Sequence, residues 1–441
     1  MPVSGSRRFL RAPVASKNLL MVCYYFPPLT DVGCKRSVAF ATYLKKEGWS
    51  PYALSVKNPD RHYCSLGTDA PPDGVPAVYT RSLVNPIKFL GKANGLVDRV
   101  LSLFNRGVSR NYFYEFLCIP DFFVGWVPLT VVRAVKLIRA HNIETVYVSC
   151  SPFSAALIGV ACRRLTGRRL VLDFRDPFGL TLEGSKASRT KERIDAFFAR
   201  LFLKHTDLLI VTTDETRREY AAQFPQFKEK VVTVHNGFDA THLVTDQPEK
   251  FHRFTIIYTG QFYYKFNPSL NMYADNFFSA LAQLKKENRI CSETFQFLFY
   301  GSEQGAIRDY AARFGVEDLV TVNGRVSHAE VLLAMRRSHL QLLRIMKLML
   351  STKLFEGIPM NIPFLATIPP GEAEEIIRRY SPGSYVITED SAEKIKGAIV
   401  DAMDRYAKGP LPDNHVEEFM DCFSREALTQ KLMGHLTPDI S

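Results

Sequence analysis

Short apolar runs alternate along this chain with longer stretches in which apolar and polar residues recur at helical spacing. That alternation predicts strand and helix in turn, and therefore α/β layers built on parallel sheets. "NLLMVCYYF" reads as a buried first strand. "CKRSVAFATYLKKEG" follows as a helix with Val38, Tyr43 and Leu44 inward and Gly48 as its C-terminal stop. "SPYALSV", "ETVYVSC" and "RLVLDF" continue as strands, separated by the helices "PLTVVRAVKLIRAHN" and "PFSAALIGVACRRLTG". The order resumes after "HNGFD" at 235–239: "FTIIYTG", "FQFLFYG", "LVTVNG" and "LQLLRI" are strands, with "NPSLNMYADNFFSALAQLKKEN", "GAIRDYAARFG" and "HAEVLLAMRRS" as helices between them. The pattern predicts a flexible basic extension over 1–17, a Rossmann-like domain over 18–238 and a second over 239–415. Residues 416–441, with "VEEFMDCFSREALTQKLMGHL", read as a terminal amphipathic helix.

A chain of 441 residues with ordinary apolar and charged fractions fits two or three domains and can bury a sizeable core. Its longest apolar stretches, "LLMVCYYF" and "FFVGWVPLTVV", are shorter than a bilayer span, and "MPVSGSRRFLRAPVASK" lacks the apolar core of a signal peptide. The expectation is a cytoplasmic protein. Eight cysteines without a C-x-x-C pair predict neither disulfides nor zinc. Charge is distributed unequally. Residues 1–236 carry 34 Lys and Arg against 19 Asp and Glu, whereas 237–441 carry 22 against 26. A basic half suits nucleic acid, an anionic membrane or an anionic substrate, and charge alone does not choose among them.

Doubly wound sheets bind ligands beyond the carboxyl ends of their strands, and two such domains facing each other make a cleft. Only "PPLTDVGCKRS", with a single glycine, follows the first strand, and no G-x-x-x-x-G-K-[ST] occurs, which disfavours a dinucleotide enzyme or a P-loop NTPase. Seven segments in order carry a resemblance instead: "YYFPPLTDVGCKRSVAFATYLKKEGW", "CSPFSAALIGVACRRLTGRRLVLDFRDPF", "VHNGFD", "IIYTGQFYYKFNPSL", "FLFYG", "VNGRVSHAEVLLAM" and "STKLFEGIPMNIPFLA". From residue 18 to about 370 the chain resembles GT-B glycosyltransferases of the family 4 type. The resemblance implies a retaining, metal-independent enzyme without a cofactor. Such an enzyme moves a sugar from a nucleoside diphosphate to an acceptor hydroxyl, holds the donor mainly in its C-terminal domain, and returns its last helix toward the first domain.

In "STKLFEG", Ser351 and Thr352 suit a helix start that leaves backbone N–H groups for an anion, and Lys353 adds a positive charge. Glu356 matches the second glutamate of the family's E-x7-E motif, which accepts hydrogen bonds from the nucleotide ribose. Leu348 stands where the first is expected, a departure that puts the usual donor-sugar contact in question. The resemblance also assigns Lys265 to the leaving diphosphate, places Gly260 with it, and sets Arg325 and Val326 of "NGRVSHAE" against the base. Gly33 would let backbone approach the diphosphate, since only glycine lacks a Cβ, although an ordinary turn has the same need. On the acceptor side stand Asp173, Arg175 and Asp176 of "LDFRDPF". Asp176 either orients or deprotonates the acceptor hydroxyl, or caps a helix opened by Pro177. Asn236, Gly237 and Asp239 read as a hinge turn, and His235 and His328 as lone structural histidines.

A last expectation concerns the acceptor. "IKFLGKANGLVDRVLSLFNR" places Leu90, Ala93, Val97, Val100 and Phe104 on one helical stripe and Lys88, Lys92, Arg99 and Arg106 on another. Such a helix suits peripheral attachment to an anionic membrane carrying a lipid-linked acceptor, and equally suits packing on its own sheet. The leading reading is a glycosyltransferase of cell-surface polysaccharide or glycolipid assembly, with no nucleic-acid partner. The alternatives are a nucleotide-sugar epimerase of the same fold and a non-catalytic GT-B scaffold.

Overall fold

The computed structural model describes residues 17–59, 64–83, 119–181, 189–242, 248–260, 262, 269–324, 326–345, 347–389 and 391–437. The stripe expected within 85–106, Lys265 and Arg325 lie outside them. The chain divides into two compact units, one of residues 1–211, 220–232 and 429–441, the other of residues 212–219 and 233–428.

Through the first unit the elements run β1 (Asn18–Cys23), α1 (Val32–Lys46), β2 (Ser50–Val56), β3 (Ala77–Thr80), α2 (Val127–Ala140), β4 (Thr145–Cys150), α3 (Ser154–Thr166), β5 (Arg169–Phe174), α4 (Arg189–His205), β6 (Leu208–Val211), α5 (Asp214–Gln223) and β7 (Val231–Thr233), with the start of α5, as far as Glu219, and Thr233 belonging to the second unit. They build one sheet in the order β3-β2-β1-β4-β5-β6-β7. Strands β1 to β6 pair in parallel, and β4 is buried along its whole length, as a sheet covered on both faces requires. Chain order reverses between β1 and β4. The carboxyl ends of these strands are therefore the expected ligand edge.

Helix α1 shows how local pattern and tertiary partner compete. Leu44 is buried as expected, but Val38 and Tyr43 are only half-buried; the inward stripe runs through Arg36, Ser37, Phe40 and Leu44. Arg36 faces inward because Asp173 waits there. Gly48, at φ 77°, stops the chain just past the helix in the left-handed region that glycine tolerates. Asp176 caps nothing, since residues 175–180 are bends and irregular chain.

In the second unit follow β8 (Phe254–Thr259), α6 (Ser269–Lys286), β9 (Phe295–Tyr300), α7 (Gln304–Phe314), β10 (Val320–Asn323), α8 (His328–Arg337), β11 (Leu340–Arg344), α9 (Thr352–Gly357), β12 (Phe364–Thr367), α10 (Glu372–Tyr380), β13 (Tyr385–Ile387), α11 (Ala392–Tyr406), α12 (Val416–Phe423) and α13 (Arg425–Leu436). The sheet order is β10-β9-β8-β11-β12-β13, all parallel, with its switch point between β8 and β11. Ser327 opens α8 with a full capping box to Glu330. The terminal helix expected as one piece is two. Phe238 N–H donates to Phe423 O and Arg425 N–H to Phe238 O, so the HNGFD backbone occupies the joint at Ser424. A Cβ on Gly237 would strike Phe423 O and Leu428, which explains the glycine by close approach. From Thr429 onward the last helix belongs to the first unit, where Arg169 donates to the carbonyls of His435 and Leu436.

Candidate active site

The switch point of the second unit gathers several of the predicted residues. Gly260, directly after β8, has φ 91°, and a Cβ there would press on the Lys353 side chain. Lys353 arrives from the first turn of α9 and donates to the Tyr258 hydroxyl at 3.0 Å, its Nζ 4.1 Å from the ring centroid. Burial pushes the Tyr258 phenol up to about 12, so it stays protonated at neutral pH. Sequence alone did not reveal the support beneath. Arg344, at the end of β11, donates to Phe262 O at 3.0 Å and lies over the Phe262 ring, while the Glu303 carboxylate accepts the Phe262 N–H.

Ser351 does cap α9, but its hydroxyl accepts the Lys353 N–H at 3.3 Å. That amide is therefore spent inside the six-residue helix. Thr352 is half-buried at its first position. One turn on, Glu356 is half-buried, with Oε1 3.9 Å from His328 Nε2. His328 is thus not the isolated residue the sequence suggested: it opens α8, next to Val326, which is exposed. Glu356 and the 326–328 loop meet at one place.

In the first unit, Gly33 and Arg175 come together. A Cβ on Gly33 would strike the Arg175 guanidinium, which donates to Ser151 O and lies over the Tyr25 ring. Gly33 sits in the first turn of α1, a turn without acidic residues whose N-cap, Asp31, makes no side-chain cap. Asp31 instead accepts the Ser65 N–H. Asp176 lies half-buried beside Arg175, and burial raises its carboxyl above the ordinary value against the pull of that cation. Asp173 does not belong with them. It is fully buried, accepts from Arg36 Nε at 2.7 Å and Nη2 at 3.1 Å, and accepts the Tyr147 hydroxyl as well. The alternation of β5 points Asp173 into the protein, so it faces no acceptor.

Residues 99–242, a third of the chain, match the family model described as Glycosyltransferase Family 4. No curated protein sequence matches. Among solved structures, a glycosyltransferase from Rickettsia africae aligns over 96% of this chain and 98% of its own with a TM-score of 0.60 and 13% identity. Sucrose-phosphate synthase from Thermosynechococcus elongatus gives 0.61 and 13% over 95% and 98%, and HepE of Anabaena in complex with UDP gives 0.58 and 12% over 95% and 99%. The fold is GT-B.

One further cluster in the GT-B chain was missed. His235, read as a lone residue, lies 2.6 Å from Glu372 Oε1, and the polar atoms of Asp214, His235 and Glu372 all fall within 4.8 Å of one another. Glu215 N–H donates to Glu372 and Glu372 N–H to Glu215, so the starts of α5 and α10 cap each other. Asp214 also accepts from Thr233 and Arg217, and these bonds outweigh burial and hold its carboxyl below the ordinary value. Chemically, the second unit offers one cation and a carboxylate on a single short helix at its switch point. The first unit offers a guanidinium packed directly over the Gly33 backbone, with a carboxylate of raised basicity beside it.

Proposed function

We propose that this chain is a glycosyltransferase that moves a sugar from a nucleoside diphosphate to an acceptor hydroxyl. The observation that carries the reading is the lodging of Lys353 against Gly260 at the β8/β11 switch point, with Glu356 one turn further along the same helix. Lys353 then serves the diphosphate, and Glu356 with His328 the ribose. The family-model match and the UDP held by HepE support a donor of that class. In the first unit the Gly33–Arg175 pair suits a phosphate oxygen, and Asp176, its proton affinity raised by burial, suits the acceptor hydroxyl.

We read the transfer as retaining and metal-independent, as the resemblance implies. The bond from the anomeric carbon to the leaving phosphate breaks, the bond to the acceptor oxygen forms on the same face, and the acceptor proton passes to a phosphate oxygen. A preorganised donor aimed at the charge growing on that phosphate is worth about 3–4 kcal/mol of barrier. The acceptor is a saccharide or a lipid-linked sugar of cell-surface polysaccharide or glycolipid assembly, a reading supported by the net charge of +15 on residues 1–236. No helix among the described residues is long and apolar enough to cross a membrane, and attachment through the basic first half is part of the proposal.

The test is a panel of nucleotide sugars incubated with acceptor-bearing membranes, following nucleoside diphosphate release and the anomeric configuration of the product. Acceptor-dependent release that persists in chelator and retains configuration is expected. Interconversion of the donor without acceptor would make the chain an epimerase, and inertness toward every donor would make it a scaffold.

A further inference from the structure

A cavity of about 360 Å³ opens in the second unit at the amino ends of β8, β11 and β12, the sheet edge opposite Gly260 and Lys353. At about 3.3 Å per residue the six residues of β8 put the two edges about 20 Å apart. Four prolines and Leu411 form much of its wall, and Lys250, Arg336, His339 and Asp413 supply the charge and polarity.

His339 is the telling residue. It is 3% exposed, stacks on Phe254, and accepts the Thr255 N–H on Nδ1 at 2.9 Å. The neutral ring must then carry its hydrogen on Nε2. Burial and the Lys250 charge lower its pKa to about 4, so this tautomer prevails at neutral pH. The Nε2–H is hydrogen-bonded to no described residue, and His339 lines the cavity. A donor at the cavity wall offers a hydrogen bond to whatever occupies the cavity. Lys250 stands nearby. Its Nζ donates to Arg336 O at 2.8 Å and Ser338 O at 2.7 Å, leaving a third N–H, and burial with the Arg336 charge lowers its pKa to about 8 against the opposing pull of Asp413. The Asp413 carboxylate already accepts from Asn361 at 2.6 Å. The cavity wall thus presents two donors, His339 Nε2–H and the third N–H of Lys250.

We infer that this cavity is a second ligand site, for a small organic anion whose carboxylate or phosphate oxygen accepts from His339 Nε2–H and Lys250 Nζ. The site is separate from the glycosyl-transfer reading and does not depend on it. Its wall includes Met360 and Asn361, in the turn that follows α9, so a bound anion lies against the turn that ends the helix carrying Lys353 and Glu356.

The experiment labels the full chain with a trace succinimidyl ester at constant ionic strength and maps acylation of each lysine by mass spectrometry, with and without inorganic phosphate or acetate. Lys250 is expected to label with a midpoint near pH 8, and at least one anion at tens of millimolar to slow it several-fold. Protection by phosphate alone assigns a phosphate ligand and by acetate alone a carboxylate. Protection should survive Lys353→Met, which removes the cation at the opposite edge, and be lost in His339→Phe, which removes the Nε2 donor, with circular dichroism confirming both folds. Labelling that neither anion alters, protection lost in Lys353→Met yet kept in His339→Phe, or a Lys250 inert even at pH 10 would each overturn the assignment.

Discussion

The substitution Asp173→Asn separates a structural carboxylate from an acceptor-side one. Asn keeps the shape but removes the charge, leaving the Arg36 guanidinium, 8% exposed, and the Tyr147 hydroxyl in the core without their anion. Breaking a buried ion pair from one side costs about 3–5 kcal/mol. At roughly 2–4 °C per kcal/mol for a unit of this size, the first unit should melt on the order of 10 °C lower. The two tryptophans of the chain, Trp49 and Trp126, are both buried in the first unit, so their fluorescence in a urea or thermal titration reports on that unit alone. Removing both partners as Arg36→Met with Asp173→Leu should recover most of the loss, because the cost lies in the orphaned cation. Turnover per folded molecule should stay near wild type throughout. An Asp173→Asn protein of unchanged melting temperature with turnover down a hundredfold would refute the assignment and return Asp173 to the substrate.

Other substitutions probe the proposed site. Lys353→Met should weaken nucleoside diphosphate binding about 10- to 100-fold, the worth of one charge-assisted hydrogen bond, with little change in circular dichroism, and Glu356→Gln should do so more mildly; calorimetry reads both. Asp176→Asn should lower turnover more than donor affinity. Because burial raises the Asp176 pKa in the folded state, ionisation there opposes folding at pH above both its unfolded and folded values and has no effect below them. The Asn variant should therefore melt higher than wild type at pH 7, with the difference vanishing as pH falls below the carboxylate range. A variant of lower stability at pH 7 and normal turnover would sink both parts of that reading.

What could be read from the sequence follows from how far each signal travels along the chain. Parallel strands buried on both faces appear as unbroken apolar runs, so β1, β4, β5 and β8 were visible, and short-range devices such as Gly48 and the Ser351 cap were visible too. Partners far apart in sequence were not. An aspartate near a strand end looks the same whether it faces a ligand or the core, and the residue that decides Asp173 is Arg36, 137 positions away. His235 and Glu372 are separated by the same span. The split between α12 and α13 was hidden because its cause, the Phe238 backbone, lies in the HNGFD turn rather than in the helical pattern itself. Arg344 gave no signal, since a basic residue ending a strand is usually solvated.

Leu348 is the point where the chain leaves the pattern it otherwise resembles, and its surroundings give the reason. Its backbone is held at both ends: the N–H donates to Glu215 Oε2 at 3.3 Å and the carbonyl accepts the Thr216 hydroxyl at 3.0 Å. It adopts φ 66° with the side chain 2% exposed. The left-handed conformation costs a non-glycine residue about 1–2 kcal/mol, and burial of a leucine side chain, about 1.5–3 kcal/mol, offsets it. A glutamate here would keep the strain and bury a carboxylate near Glu215, whose carboxylate already takes the Leu348 and Glu372 amides. Leu348→Glu should thus destabilise the second unit by several kcal/mol, or drive that carboxylate to titrate well above its ordinary range, without improving donor affinity. Thermal unfolding followed by circular dichroism, beside donor calorimetry, reads the two effects separately. A stable Leu348→Glu protein with tighter donor binding would mean that the loop can turn this side chain toward the sugar. On the geometry described, the loop is instead fastened to the start of α5, and the placement of Lys353, Gly260 and Glu356, the residues proposed to hold the donor, does not depend on a glutamate at 348.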